Sequence, residues 1–209
     1  MRAPALLLLA LAGAAAQAAD TRTYAFQATL DGRPIGEHRF TVATDGDARE
    51  VTSDADFTVR FLGITAYRYR HHAQEQWRGG CLAALAASTD DDGQPSSVRL
   101  ARTGDADAIT TAAGTTTVSG CLMTYAYWNP ALREQRRLLN PQTGKVDAVT
   151  IARVGTGRVT VGGKEVAATD WRITGGDSPV DVWISEAGEW VGLDSTVSHG
   201  RHKLSYRLP

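Results

Sequence analysis

What this 209-residue sequence lacks narrows its reading first. It has no apolar run of the ~20 residues that a membrane-spanning helix needs. Its longest, residues 5–12, sits behind a lone positive charge, Arg2, and ahead of the small-residue site Ala16-Gln17-Ala18. A charged start, a short apolar stretch and an A-x-A site together make a signal peptide. They predict a leader over 1–18 and a single mature β-rich domain over 19–209. That domain should be exported to the periplasm, soluble, and without a transmembrane segment once the leader is removed. No cysteine stands beside the cleavage site, so no lipid attachment point is expected.

An excess of one charge is also missing. The formal net charge is −1 at pH 7, and losing Arg2 with the leader makes it one unit more acidic. So balanced a chain gives no reason to expect nucleic acid, or an anionic membrane, as an obligatory partner. Proline/serine-rich linkers and low-complexity stretches are absent too, which argues against a division into domains.

The familiar catalytic signatures do not occur. There is no G-x-S-x-G elbow and no H-E-x-x-H pair. Gly155-Thr156-Gly157 lies between predicted strands with no helix to follow, so it is read as a turn and not as a phosphate loop. Asp90-Asp91-Asp92-Gly93 lacks the alternation and closing glutamate of a calcium loop and reads as a solvated hairpin turn. The histidines are scattered, and His71 and His72, adjacent in a predicted strand, point to opposite faces. His71 shares its face with Glu75, a pairing that acid-base chemistry can use, but no nucleophile accompanies it. The expectation is a non-enzyme with no metal and no cofactor.

Only two cysteines are present, Cys81 and Cys121. With no histidine pair nearby they do not make a tetrahedral zinc set. In an exported chain they are expected to form an intramolecular disulfide.

What the sequence does contain is alternation. Residues 24–30 and 35–42 flank the turn 31–34 as a hairpin, and a further turn at 45–47 leads into a strand over 50–62. The next link, Phe61-Leu62-Gly63-Ile64, is apolar where a turn is normally polar. Then comes a long strand over 65–77, with Tyr67, Tyr69, His71 and Trp77 on one face and polar residues on the other. A strand is expected over 81–89, and weaker ones over 98–102 and 108–118 belong at a sheet edge. After residue 146 the pattern is a meander to the end, with strands over 146–154, 158–161, 164–174, 180–185, 190–197 and 203–208. Outer-membrane barrels need longer strands with apolar outward faces, which these are not.

One stretch departs from this pattern. Over 121–145, Leu122, Met123, Tyr125, Ala126 and Trp128 make the chain apolar nearly all round, as in a helix enclosed by other structure. Asn129-Pro130 interrupts it with an N-cap and first-turn pair, so a second helical turn is expected from Ala131 to Gln135. A return into strand is expected at Leu138-Leu139-Asn140, before the turn 141–144. The fold class is therefore mainly β: a curved antiparallel sheet or half-barrel meander wrapped around one central helical segment.

The runs LDGRPIGEHRF at 30–40, FLGITAYRYRH at 61–71 and YAYWNP at 125–130 resemble the markers of a family of exported bacterial proteins that carry a domain of unknown function. The resemblance extends to LLN at 138–140 with Thr143-Gly144, and to LSYRL at 204–208. More distantly, the order of elements is similar to that of periplasmic half-barrel proteins, among them the carrier of lipoproteins between membranes. The resemblance implies a curved sheet around a plug and carries no residue roles. The functional expectation is a periplasmic binding or carrier module for an apolar or lipid-like ligand, lined by Tyr67, Tyr69, Trp77, Tyr125, Tyr127 and Trp128. Phe61, Leu62 and Ile64 would form an apolar lip able to touch a membrane or a partner. A non-catalytic envelope scaffold that binds another protein is the alternative, and an enzyme with an unrecognised site is the third.

Overall fold

The computed structural model describes residues 20–209; the expected leader, 1–18, lies outside them. The first half is a run of hairpins: β1 (Asp20–Leu30), β2 (Arg33–Asp45), β3 (Ala48–Phe61), β4 (Ile64–Arg78), β5 (Cys81–Asp91), β6 (Gln94–Thr103), β7 (Ala106–Thr111) and β8 (Gly114–Ser119). A long connection comes next, holding a 3-10 helix, Pro130–Glu134, and a small hairpin of β9 (Arg137–Leu139) and β10 (Val146–Ala148). The chain then re-enters the sheet as β11 (Thr150–Val161), β12 (Lys164–Thr174), β13 (Val180–Ser185), β14 (Trp190–Val197) and β15 (His202–Arg207).

Thirteen of these strands form one antiparallel sheet in the order β11-β12-β13-β14-β15-β1-β2-β3-β4-β5-β6-β7-β8. The sheet is curved but not closed, and β8 and β11 are its edges. Its two halves meet where β1 pairs with β15, from Gln27 opposite Arg207 to Leu30 opposite Leu204.

Local chemistry explains the hairpins. Asp31-Gly32 and Asp92-Gly93 occupy two-residue turns with both residues at positive φ, 51° and 77° in the first and 51° and 83° in the second. Asp-Gly suits that mirror-image turn, whose twist matches the flanking strands. Alternation is followed closely in β4, where His71, Ala73, Glu75 and Trp77 are buried and His72, Gln74 and Gln76 are exposed. The centre of the core is aromatic: Trp190 packs against Phe26 at 4.3 Å between ring centroids and against Phe40 at 5.0 Å. Each such ring removes a large apolar area from water, of the order of 2–3 kcal/mol apiece.

Two expectations are corrected. Residues 155–157 do not turn but continue β11, with a register shift between Arg153 and Gly155. The glycine there serves packing, since a Cβ on Gly157 would sit 3.0 Å from the Trp183 ring. The larger correction concerns residues 121–128, which are not helical. They cross the concave side of the sheet as irregular chain, with Thr124 forming an isolated parallel bridge to Leu139 and tight turns following from Thr124 to Asn129.

The physical reason lies in where the backbone groups of this segment go. The Leu122 carbonyl accepts from Leu82 N–H at 3.0 Å and the Met123 carbonyl from Leu139 N–H at 2.8 Å, while Tyr127 N–H turns back to the Tyr125 carbonyl at 2.9 Å. Eight residues between a disulfide and Asn129-Pro130 are too few for a stable helix nucleus, and the residue before proline is held extended. The break at Asn129-Pro130 is real: the Asn129 side chain caps Ala131 N–H at 3.0 Å. The 3-10 turn begins there and leads into strand β9 at Arg137–Leu139.

Candidate functional site

A cavity of about 290 Å³ lies between the concave face of the sheet and this crossing segment. β2 contributes His38 and Phe40 to its wall, β3 Val51 and Ser53, and β4 His71, Ala73 and Glu75. From the other half of the sheet come Leu193 of β14 and Leu204 and Tyr206 of β15. Thr124, Tyr125, Ala126, Tyr127 and Trp128 close it from above, and the exposed Gln142 and Asp177 mark its rim.

The polar groups in the wall are two imidazoles, several hydroxyls and one carboxyl, Glu75. The His38 ring stands between the Tyr206 hydroxyl at 3.2 Å and the Ser53 hydroxyl at 2.8 Å. His71 is held by the Thr89 hydroxyl at 2.9 Å. Burial pushes the His38 imidazole down to about 3, the nearby His71 adding to the effect, and burial likewise takes His71 down to about 4. Glu75 moves the other way: burial raises its carboxyl to about 7, against the opposing pull of hydrogen bonds from the Trp77 indole and the Thr124 hydroxyl. Burial also raises the Tyr127 and Tyr206 phenols, which stay protonated. At neutral pH both imidazoles are thus neutral, and Glu75 holds its proton far more readily than an exposed glutamate does. The wall can donate and accept hydrogen bonds without presenting a fixed charge.

The structure divides the expected aromatic lining in two. Tyr125, Tyr127 and Trp128 do face the cavity, and the Tyr125 hydroxyl donates to the buried Asp147 carboxylate at 2.8 Å, anchoring the segment to β10. Tyr67, Tyr69 and Trp77 do not line it. Trp77 is fully buried beneath it and supports Trp128 edge-on, with centroids 5.5 Å apart and planes at 82°. Tyr69 stacks on Phe57 at 5.5 Å, and the half-buried Tyr67, near the start of β4, donates its hydroxyl to Asp91.

His38, Ser53 and Tyr206 are polar lining residues that the sequence did not single out. The β2–β3 ladder sets His38 beside Ser53, and only the pairing of β15 with β1 brings Tyr206 to them. Two of them nevertheless lie within runs that carry the resemblance, 30–40 and 204–208.

Cys81 and Cys121 form the expected disulfide, with Cα atoms 5.2 Å apart. It fixes the start of the crossing segment to the start of β5 and fits an oxidising compartment. Phe61, Leu62 and Ile64 stand out from the β3–β4 turn, 66%, 85% and 72% exposed. Among the described residues no group of three or more His, Cys, Asp or Glu is placed to hold a metal ion, and no helix is long and apolar enough to cross a membrane.

A family defined by a domain of unknown function, DUF6134, matches residues 26–208, from the middle of β1 to just past β15. The chain belongs to this family. Among solved structures it is similar to a beta-barrel-like protein of domain of unknown function DUF1849 from Brucella abortus, with a TM-score of 0.61 and 10% identity. The likeness covers 93% of this chain and 98% of that one, so the two share a fold over almost their whole length. No curated protein matches the sequence.

Proposed function

We propose that the chain is a periplasmic binding or carrier module whose cavity takes a small, lipid-like ligand: an apolar body with an uncharged hydrogen-bonding end. The observation that carries this reading is the cavity's make-up. Trp128, Phe40, Val51 and Leu193 offer an apolar wall, while His38, Glu75 and Tyr206 offer donors and acceptors in uncharged or readily neutralised form. At about 290 Å³ it sits at the lower end of small-molecule sites, which run from about 300 to 1,000 Å³. One acyl chain or a compound of similar bulk suits it better than a whole phospholipid. A permanently anionic ligand is disfavoured, because no lysine or arginine lines the cavity and both of its imidazoles are neutral.

The Ser53–His38–Tyr206 chain of contacts also invites an enzymatic reading, since 2.8 Å is a nucleophile-to-base distance. Three features argue against it. An imidazole lowered to about 3 is a poor base at neutral pH. Its second partner is a hydroxyl and not a carboxylate. Ser53 also lies in a strand paired on both sides, opposite Phe40 and Ala73, so its backbone N–H groups are committed to the ladder and leave no oxyanion hole. We therefore read the protein as non-catalytic.

The test is uptake of N-phenylnaphthylamine, an uncharged apolar fluorophore, by the purified chain. The native protein is expected to bind it with a rise in emission. Ala126→Trp, which fills the cavity from the crossing segment, should abolish the rise while leaving the circular dichroism spectrum native. A native protein that shows no uptake, and carries no lipid by mass spectrometry when extracted from periplasm, overturns the reading in favour of a scaffold that binds another protein. Labelling of Ser53 by a fluorophosphonate would overturn it in favour of an enzyme.

A further inference from the structure

The β3–β4 hairpin outgrows both of its neighbours. β2 last pairs with β3 where Gly36 lies opposite Phe57, and β5 last pairs with β4 where Asp91 lies opposite Tyr69. β3 and β4 continue together, from Thr58 opposite Arg68 to Phe61 opposite Ile64. Residues 58–68 therefore form a ribbon with no strand on either side, about 13 Å long at ~3.3 Å per residue.

Its tip is not what the turn asks for. Leu62 and Gly63 sit at φ 50° and 80°, and the first of these positions favours asparagine or aspartate over leucine. Phe61, Leu62 and Ile64 are largely exposed and take no part in the core. Neither backbone geometry nor core packing accounts for three large apolar side chains there, so their role lies outside the fold.

The charges on the ribbon have one sign. Within 58–68 the charged residues are Arg60 and Arg68. Arg70, the next arginine along, pairs with Asp56 at 3.5 Å, whereas Arg60 and Arg68 form no salt bridge among the described residues. The nearby acids, Asp91 and Asp92, lie at the base: one holds the Tyr67 hydroxyl and the other accepts the Arg68 backbone N–H at 3.2 Å. The cavity has its rim at this same end of the sheet, near Thr196 and Val197, where β14 leads into the turn before β15.

We propose that this ribbon is a membrane-docking element. Phe61, Leu62 and Ile64 enter the interface of an anionic phospholipid bilayer, and Arg60 and Arg68 reach lipid phosphates behind them. A convex tip of three side chains offers less than the roughly 800 Å² per partner of a stable protein interface, while a bilayer needs no matching pocket. Long arginine side chains behind an apolar tip place their guanidinium groups at headgroup depth. The near-zero net charge of the chain does not oppose this, because at ~8 Å of screening the lipid surface senses the tip and not the whole molecule.

Flotation of the mature chain with vesicles decides the matter. The chain should float with vesicles of mixed phosphatidylcholine and phosphatidylglycerol, and less with phosphatidylcholine alone. Replacing Phe61, Leu62 and Ile64 together by serine should weaken binding about tenfold or more. Arg60→Gln with Arg68→Gln should remove the preference for phosphatidylglycerol and its sensitivity to salt. Since all five side chains stand clear of the core, native circular dichroism is expected of every variant.

A native chain that floats with neither vesicle overturns the proposal. So does a serine variant that floats undiminished, or a tip that cross-links at Leu62 to a second copy or to one protein while ignoring lipid. The proposal is separable from the binding-module reading: a chain that floats but takes up no naphthylamine probe keeps the former and loses the latter, and the reverse result does the opposite.

Discussion

Trp77 donates its indole N–H to the carboxylate of Glu75, 2.9 Å away and two residues back on the same buried face of β4. Neither this donor nor the Thr124 hydroxyl is charged, so burial dominates and the carboxyl rises to about 7. A raised carboxyl favours folding while it is protonated. Its contribution is full below the ordinary glutamate range and is lost as pH climbs through 7.

Glu75→Gln should therefore stabilise the protein at pH 8 and change it little at pH 5. A shift of this size corresponds to about 3 kcal/mol, and loss of hydrogen-bond strength to Trp77 offsets part of it. Urea unfolding of both proteins at the two pH values checks this. A larger gain at pH 5 than at pH 8 would sink the assignment.

The two cavity histidines act in the opposite direction. His38 and His71 are lowered to about 3 and about 4, so the fold holds them neutral while the unfolded chain protonates them near 6.5. Their contribution is present above 6.5 and is lost as pH falls toward those values. The native protein should lose about 1.4 kcal/mol per pH unit for each histidine over that range, before the partly compensating uptake of a proton by Glu75. Replacing both by glutamine should flatten the acid limb of a plot of melting temperature against pH.

Removing the disulfide should loosen the crossing segment before the sheet. With a sequence separation of 40 residues between Cys81 and Cys121, the chain-entropy model gives a loss of ~4 kcal/mol on replacing both by serine. Hydrogen exchange offers the sharper reading. The Leu82 N–H that donates to the Leu122 carbonyl should lose more protection than amides in β14 or β15.

Gly36→Ala should be costly where Gly32→Ala is not. Gly36 has φ 149°, and an added Cβ would run into the Asp56 carbonyl oxygen across the β2–β3 ladder. Gly32 also has a positive φ, 77°, but nothing lies within 4 Å of an added Cβ there. About 2 kcal/mol or more of lost unfolding free energy is expected at Gly36 and about 1 kcal/mol at Gly32. Equal effects in thermal melts would show that the crowding is absent.

The legible parts of this protein were those with a strict period. β4 showed its inner face in sequence because every second residue from His71 to Trp77 is set by the same core. The turns at Asp31-Gly32, Asp92-Gly93 and Gly162-Gly163 announced themselves through residues that tolerate positive φ. Residues 121–128 were misread because a segment enclosed on all sides is apolar all round whether it is coiled or extended. Only its hydrogen-bond partners, Leu82 and Leu139, decide between the two, and they lie on other strands. Gly157 is ambiguous for a related reason: the space a glycine leaves for the Trp183 ring looks, in sequence, like a turn. The cavity was half legible. Tyr125, Tyr127 and Trp128 are adjacent, whereas His38 and Tyr206 are 168 residues apart.

The seam between β1 and β15 sets the order in which this molecule can assemble. Neighbours elsewhere in the sheet succeed one another in sequence, but this pair must close a loop of about 175 residues, the entropically dearest encounter in the chain. Until it forms, β1 has a bare edge and the cavity lacks the wall that holds Tyr206. Asp31 fastens the seam by accepting from His202 at 2.7 Å and from Lys203 N–H at 2.8 Å. A chain that stops short of β15 therefore lacks Tyr206 and with it one wall of the cavity.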